Sequence, residues 1–308
     1  MFSMVAPILL APYMLGCDHR HTIKSSSRAN YYQYKAIMGS KESDYVLGHT
    51  ASEQLRLIRQ AQVLAPATEH FLRDAGIVSG MRVLDIGCGM GDVTMLIARL
   101  VGPAGRIVSI DIDPASIETA RRRASTAGLG NATFRQADIS TFTDIEAFDA
   151  IVGRLVLEFL PDTAAIISKL CRLLSPGGVI ALQEPTWKIW LAYTSHLPLR
   201  MAVTTVIRDT FLAGGVNIEM ELPLYRAFMA ANLTSPQMRI DLPIGNSLEF
   251  RSLLYDMLLS IWERAEALRL PLDKLGDPNT LASRLNDELD AHRSFAAFVG
   301  LVGAFARK

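Results

Sequence analysis

Between residues 81 and 186, short apolar runs alternate with amphipathic stretches, and the links between them are brief. "MRVLDIG", "GRIVSIDI", "ATFRQAD", "FDAIVGRLVL" and "VIALQEP" read as buried strands, and "GDVTMLIARLVG", "PASIETARRRASTAG" and "DTAAIISKLCRLLSPGG" as helices. This alternation predicts an α/β fold: a doubly wound, mostly parallel sheet with helices on both faces. Pro114 stands in the first turn of the second helix, where its missing N–H costs nothing. Upstream, Leu55, Ile58, Val63, Leu64, Phe71 and Leu72 recur at helical spacing, and Pro66 is expected to divide that stretch into two helices. Downstream, residues 187–231 and 247–293 read as helical, "SPQMRIDLPI" as a strand and "AAFVGLVGAFARK" as a closing strand.

Hydrophobic residues make up 50% of the 308, enough for a sizeable core. Lys+Arg and Asp+Glu number 31 each, so the chain lacks the basic excess typical of nucleic-acid enzymes, and no nucleic-acid partner is expected. Cys17, Cys88 and Cys171 have neither metal spacing nor an even disulfide framework, which suits a reducing cytoplasm. The apolar start "MFSMVAPILLAPYMLGC" loosely resembles a lipoprotein leader ending at Cys17. It has no positive charge before the apolar run, and Pro7 and Pro12 break it, so no membrane attachment is expected. Four segments follow: 1–37, an extension or an early start ahead of Met38; 38–80, an N-terminal helical lid; 81–186, a Rossmann-like core; and 187–308, a helical substrate cap with the final strand pair.

The first strand runs into "VLDIGCGMGD", with glycines at alternate positions 87, 89 and 91. A dinucleotide loop reads G-x-G-x-x-G; here the third position is Asp92, at the start of the next helix, where a carboxylate repels a pyrophosphate. Asp85 adds a second negative charge. A loop of this kind suits a cationic ligand without phosphate, such as S-adenosylmethionine, with Gly87 and Gly89 allowing close backbone approach and Asp85 taking the ammonium directly or through water. Asp111, at the end of the second strand, is placed to bind a ribose, whereas Asp113, just before Pro114, reads as a helix cap. Ile112 can cover one face of an adenine, Asp138 can accept from its amino group, and the Ile139 amide can donate to its ring; a solvent-facing turn is the other reading of Asp138.

The runs "VLDIGCGMGD", "IVSIDIDPASIETAR", "FRQADIS", "FDAIVGRLVLEFLPD" and "LLSPGGVIALQEP" together resemble the class I S-adenosylmethionine-dependent methyltransferases. The stretch from Tyr45 to Ile77 is similar to the N-terminal helices of a subgroup associated with small-molecule and natural-product methylation. The resemblance implies a seven-stranded sheet with its last strand antiparallel. It also carries cofactor roles to Asp85, Gly87, Gly89, Asp111, Ile112, Asp138, Ile139 and the backbone of Gly153 and Arg154.

Methyl transfer asks the protein mainly to align donor and acceptor, so a catalytic base is optional. Glu184 at the end of the fifth strand and His49 ahead of the first helix are candidates; a helix cap or salt bridge is the equal reading of Glu184. Tyr45 could touch the cofactor's methionine end. Glu158 stands where many relatives have histidine, which puts acid–base work from that position in doubt. The motifs of DNA amino-group and pyrimidine carbon-5 methylases are absent, and no metal-ligand set can be assembled. Trp187, Trp190, Tyr193, Phe211, Tyr225, Phe228, Tyr255 and Trp262 suit either core or an apolar pocket. The expectation is methyl transfer to an oxygen or nitrogen of a small, largely apolar metabolite, in a chain that could form a homodimer. A non-catalytic cofactor-sensing module on the same fold and a nicotinamide oxidoreductase are the alternatives.

Overall fold

The structure, a computed structural model, describes residues 51–233 and 235–308, with side chains described from Arg56 onward. Helix α1 (Ala51–Asp74) leads into strand β1 (Arg82–Ile86). Then come α2 (Asp92–Val101), β2 (Arg106–Asp111), α3 (Pro114–Thr126), β3 (Ala132–Gln136), β4 (Phe148–Arg154), α4 (Thr163–Leu173) and β5 (Leu174–Thr186). The later chain gives α5 (Trp187–Thr194), α6 (Pro198–Ala213), α7 (Glu221–Ala230), β6 (Gln237–Asp241), β7 (Ile244–Gly245), α8 (Leu248–Ser260), α9 (Trp262–Ala267), α10 (Pro278–Ala291), β8 (Ala296–Ala297) and β9 (Gly300–Arg307).

Seven strands form one sheet in the order β3-β2-β1-β4-β5-β9-β6. β1 to β5 pair parallel with one another, and β9 enters antiparallel to both β5 and β6. The expected doubly wound sheet with an antiparallel last strand is therefore present. On one face, Phe71 and Leu72 of α1 and Ile97 of α2 pack on Val152 and Ala181. On the other, Ile167 of α4 and Phe228 of α7 cover Ile151 and Ile180. Every residue of β1 is buried, as a central strand covered on both faces requires.

α1 runs unbroken through Pro66, contrary to the expected division into two helices. An interior proline costs a helix about 3 kcal/mol. Buried residues on both sides of it, Leu64 before and Thr68, Phe71 and Leu72 after, hold one continuous face against the sheet. Gly303 of β9 has the same cause: a Cβ there would stand 2.6 Å from the Phe71 ring. The cap segments share a core of their own, built on Trp187, Trp190, Phe211, Leu254, Leu285 and Phe298. Trp190 Nε1 ties it to the closing segment by donating to the Ala297 carbonyl at 2.9 Å.

Candidate active site

The turn from β1 to α2 sits at the carboxyl ends of the parallel strands, where open α/β sheets bind ligands. Gly87, Gly89 and Gly91 have φ of 59°, 50° and 85°. Three alternate left-handed residues explain three alternate glycines, since each L side chain there costs about 1–2 kcal/mol. A Cβ at Gly87 would meet Val156 Cγ2 at 2.5 Å, so that glycine also serves packing. A Cβ at Gly89 would meet nothing within 4 Å: the backbone there faces open space, a cradle that a side chain would fill.

Asp111 fixes this loop. Its Oδ2 accepts from the Gly89 N–H at 2.8 Å and its Oδ1 from the Asp113 N–H at 2.9 Å. Burial pushes its pKa up, against these backbone bonds. Asp113 caps α3 by accepting from Ala115 and Ser116, as its place before Pro114 predicts. Ile112 is 67% exposed, an apolar side chain left open beside Asp111. Asp138 is exposed and accepts from the Ser140 N–H at 2.7 Å, which is the geometry of its turn reading. Ile139 beneath it is buried. Gly153 is a packing glycine, because a Cβ would stand 2.6 Å from Ile86 Cγ1.

A cavity of about 150 Å³ opens beside the loop. Gly87, Gly89, Asp92 and Arg154 line its loop side, and Glu158, Trp187, Phe211 and Met257 are among those closing it. Arg154 donates to Thr68 Oγ1 at 3.0 Å, and burial lowers its pKa. Beside it in the sheet, Gln183 is buried with both amide atoms unpaired. Asp92 is held by Arg123 at 2.6 Å, so its charge is largely balanced and repels a phosphate less than the sequence suggests.

Two further carboxylates, at the ends of β1 and β5, are buried off the cavity wall. Asp85 is 1% exposed and lies behind the loop, not on the cavity wall, with Oδ2 accepting from Thr94 Oγ1 at 2.6 Å. Burial pushes its pKa up to about 7, against the Thr94 hydrogen bond. Glu184 is fully buried and accepts three backbone N–H bonds, from Val156 and Leu157 on Oε1 at 3.3 and 3.0 Å and from Glu158 on Oε2 at 3.1 Å. Its oxygens are committed to capping this turn and it lies off the cavity wall. This is the geometry of the cap reading of Glu184. His49 and Tyr45 lie outside the described residues.

Trp187 and Phe211 both pack in the cap core and touch the cavity, while Tyr193 and Tyr225 are exposed. Sequence reasoning undervalued Glu158, which is 6% exposed and lies on the cavity wall. It could not have found Leu57, Gln60, Met257 and Val299, which reach the cavity from distant segments and carry no motif. Among the described residues no group of three or more His, Cys, Asp or Glu could hold a metal ion.

Fold and loop together define an α/β protein with a glycine-lined cavity at the β1 switch point. A family model described as a methyltransferase domain matches residues 77–211. A trans-aconitate 2-methyltransferase from Methylobacterium radiotolerans is 32% identical over 209 residues, covering 66% of this chain and 74% of that protein. The aklanonic acid methyltransferase DauC of Streptomyces sp. strain C5 is 38% identical over 112 residues, covering 36% of this chain and 51% of its own. The crystal structure of a Bacillus halodurans C-125 protein shares the fold with a TM-score of 0.51 at 15% identity, covering 78% of this chain and 97% of the other. The chain belongs to the class I S-adenosylmethionine-dependent methyltransferases. The open cradle at Gly89 and the bare Ile112 fit that cofactor.

Proposed function

We propose that this enzyme transfers the methyl group of S-adenosylmethionine to an oxygen or nitrogen of a small, largely apolar metabolite. The observation that carries the reading is the lining of the cavity, which joins the glycine loop to apolar side chains of the cap: Trp187, Phe211, Met257 and Val299. Binding sites for small organic ligands have this make-up, an apolar enclosure with a few polar groups that fix orientation. Relatives named for trans-aconitate and aklanonic acid support a small-molecule acceptor.

In this reading the Gly87 and Gly89 backbone cradles the cofactor and Asp111 takes the ribose hydroxyls on its remaining lone pairs. Ile112 covers the adenine, while Asp138 and the Ile139 amide address its edge. Asp85 balances the ammonium through water, and Gly153 and Arg154 close the methionine end. The cofactor supplies an electrophilic methyl group on a sulfonium. The chain aligns the acceptor and excludes water. No helix among the described residues is long and apolar enough to cross a membrane, and the work is proposed to be cytoplasmic. Work in secondary metabolism and a homodimer complete the proposal.

The test is label transfer. The chain is incubated with tritiated methyl donor and a panel of phenols, hydroxylated polyketides, aromatic amines and organic acids. Label in an organic-extractable phenol, polyketide or amine supports the reading. Label confined to polar organic acids, or to carbon, overturns it.

A further inference from the structure

Glu158 follows β4 in the turn Leu157–Phe159 and lies on the wall of the cavity that Gly87 and Gly89 also line. No hydrogen bond or ion pair holds its carboxyl among the described residues, although its own N–H is bonded to Glu184. The other protonatable groups on that wall are committed. Asp92 is ion-paired with Arg123. The Cys88 thiol is pushed up by burial and remains protonated. Arg154 is a cation with Thr68 as its partner. An unpaired carboxyl is costly in an apolar enclosure unless a ligand answers it.

We propose that Glu158 is the acid–base residue of the transfer site: its carboxylate, formed when the cofactor's positive charge enters the cavity, takes the proton of a hydroxyl acceptor. This rests on the methyl-transfer reading above. In the step, the acceptor O–H bond breaks and its proton passes to a Glu158 carboxylate oxygen. The freed electron pair of the acceptor oxygen forms the bond to the methyl carbon. The pair of the carbon–sulfur bond stays on sulfur, whose positive charge is thereby discharged. One cation and one carboxylate are consumed, and two neutral groups result.

The surroundings explain why the charge must come from the ligand. Burial raises the Glu158 pKa well above the carboxylate range, and the Glu184 carboxylate behind it raises it further. Glu184 on β5, Asp92 on α2, Arg154 on β4 and Cys88 in the glycine loop are the charged or titratable groups around the same space. A positive charge brought to within a few ångströms of a carboxyl favours its ionised form. Burial thus favours the neutral form of Glu158 without donor, and the donor's charge favours the basic form. Glu158 also disfavours a carboxylate acceptor, which needs no base and would be repelled by the ionised side chain.

Two ligands separate this idea from simple cofactor binding. S-adenosylhomocysteine carries the amino acid and nucleoside without a charge at sulfur, whereas sinefungin places an ammonium there. Calorimetry of the full chain at pH 6, 7 and 8, in buffers of different ionisation enthalpy, counts the protons released by each. Both ligands bring the same α-ammonium to Asp85, so their difference reports the sulfonium position. Sinefungin is expected to release up to about one proton more than S-adenosylhomocysteine. In Glu158→Gln that difference should vanish, and the preference for sinefungin should fall at least tenfold while S-adenosylhomocysteine affinity stays within threefold. Glu158→Met serves as second variant if the glutamine form does not fold. Equal proton release by the two ligands in the wild type, or a difference that survives both substitutions, overturns the proposal. Failure of S-adenosylhomocysteine to bind the wild type contradicts the methyltransferase reading instead.

Discussion

Glu184→Ala should lose about 2–4 kcal/mol of stability, a large fraction of what a domain has. The Glu184 carboxylate accepts the N–H groups of Val156, Leu157 and Glu158, and Leu157 is fully buried. Alanine leaves those donors unpaired, and each buried donor without a partner costs roughly 1–3 kcal/mol. Chemical denaturation measures the loss, and a change below about 0.5 kcal/mol would remove the capping role. A pH signature accompanies it. Burial holds Glu184 and Asp85 at about 7 in the folded chain, above their ordinary 4.5 and 3.8. Between those ordinary values and about pH 7 the native state binds more protons than the unfolded state. Stability therefore falls as pH rises through that window, by up to roughly 1.4 kcal/mol per pH unit for each group. Below the window both states are protonated and the effect is absent. Glu184→Gln keeps a carbonyl for Val156 and Leu157 but cannot titrate, so its stability should depend less steeply on pH between 5 and 7. An unchanged slope would assign the dependence to the other carboxyls that burial raises, Asp85, Asp111 and Glu158.

Asp111→Ala should weaken S-adenosylhomocysteine binding by roughly 10–100-fold, as the loss of a charged hydrogen-bond acceptor predicts. Two effects add. The side chain proposed to hold the ribose disappears, and the Gly89 N–H loses the carboxylate that fixes the loop. Asp111→Asn separates them, because its amide oxygen still accepts from Gly89 while the charge is gone. Calorimetry should place the asparagine variant between wild type and alanine. Wild-type affinity in the alanine variant would contradict the ribose role and send the search to Asp113.

The fold was legible because its cause is local. Central strands covered on both faces must be apolar runs, and the turn after β1 needs left-handed residues, so "VLDIGCGMGD" carries its geometry in its letters. The cap of α3 at Asp113 was equally local. Pro66 misled because tertiary packing of Leu64 and Phe71 outweighs the local rule. Glu184 could be placed at a strand end, but which atoms its carboxyl meets depends on how the turn after β4 folds back over β5. In the sequence Glu158 reads as a departure from histidine that puts acid–base work in doubt; only burial on the cavity wall marks it. The cap contribution was legible as aromatic content alone, and the split between core and cavity follows from three-dimensional packing.

The most direct measurement is calorimetric titration of the full chain with S-adenosylmethionine and S-adenosylhomocysteine, with NADH in parallel. Micromolar binding of both sulfur ligands and none of NADH is the predicted result. Binding of NADH in their place, or no binding of either sulfur ligand, would contradict the account of the glycine loop as a methyl-donor cradle.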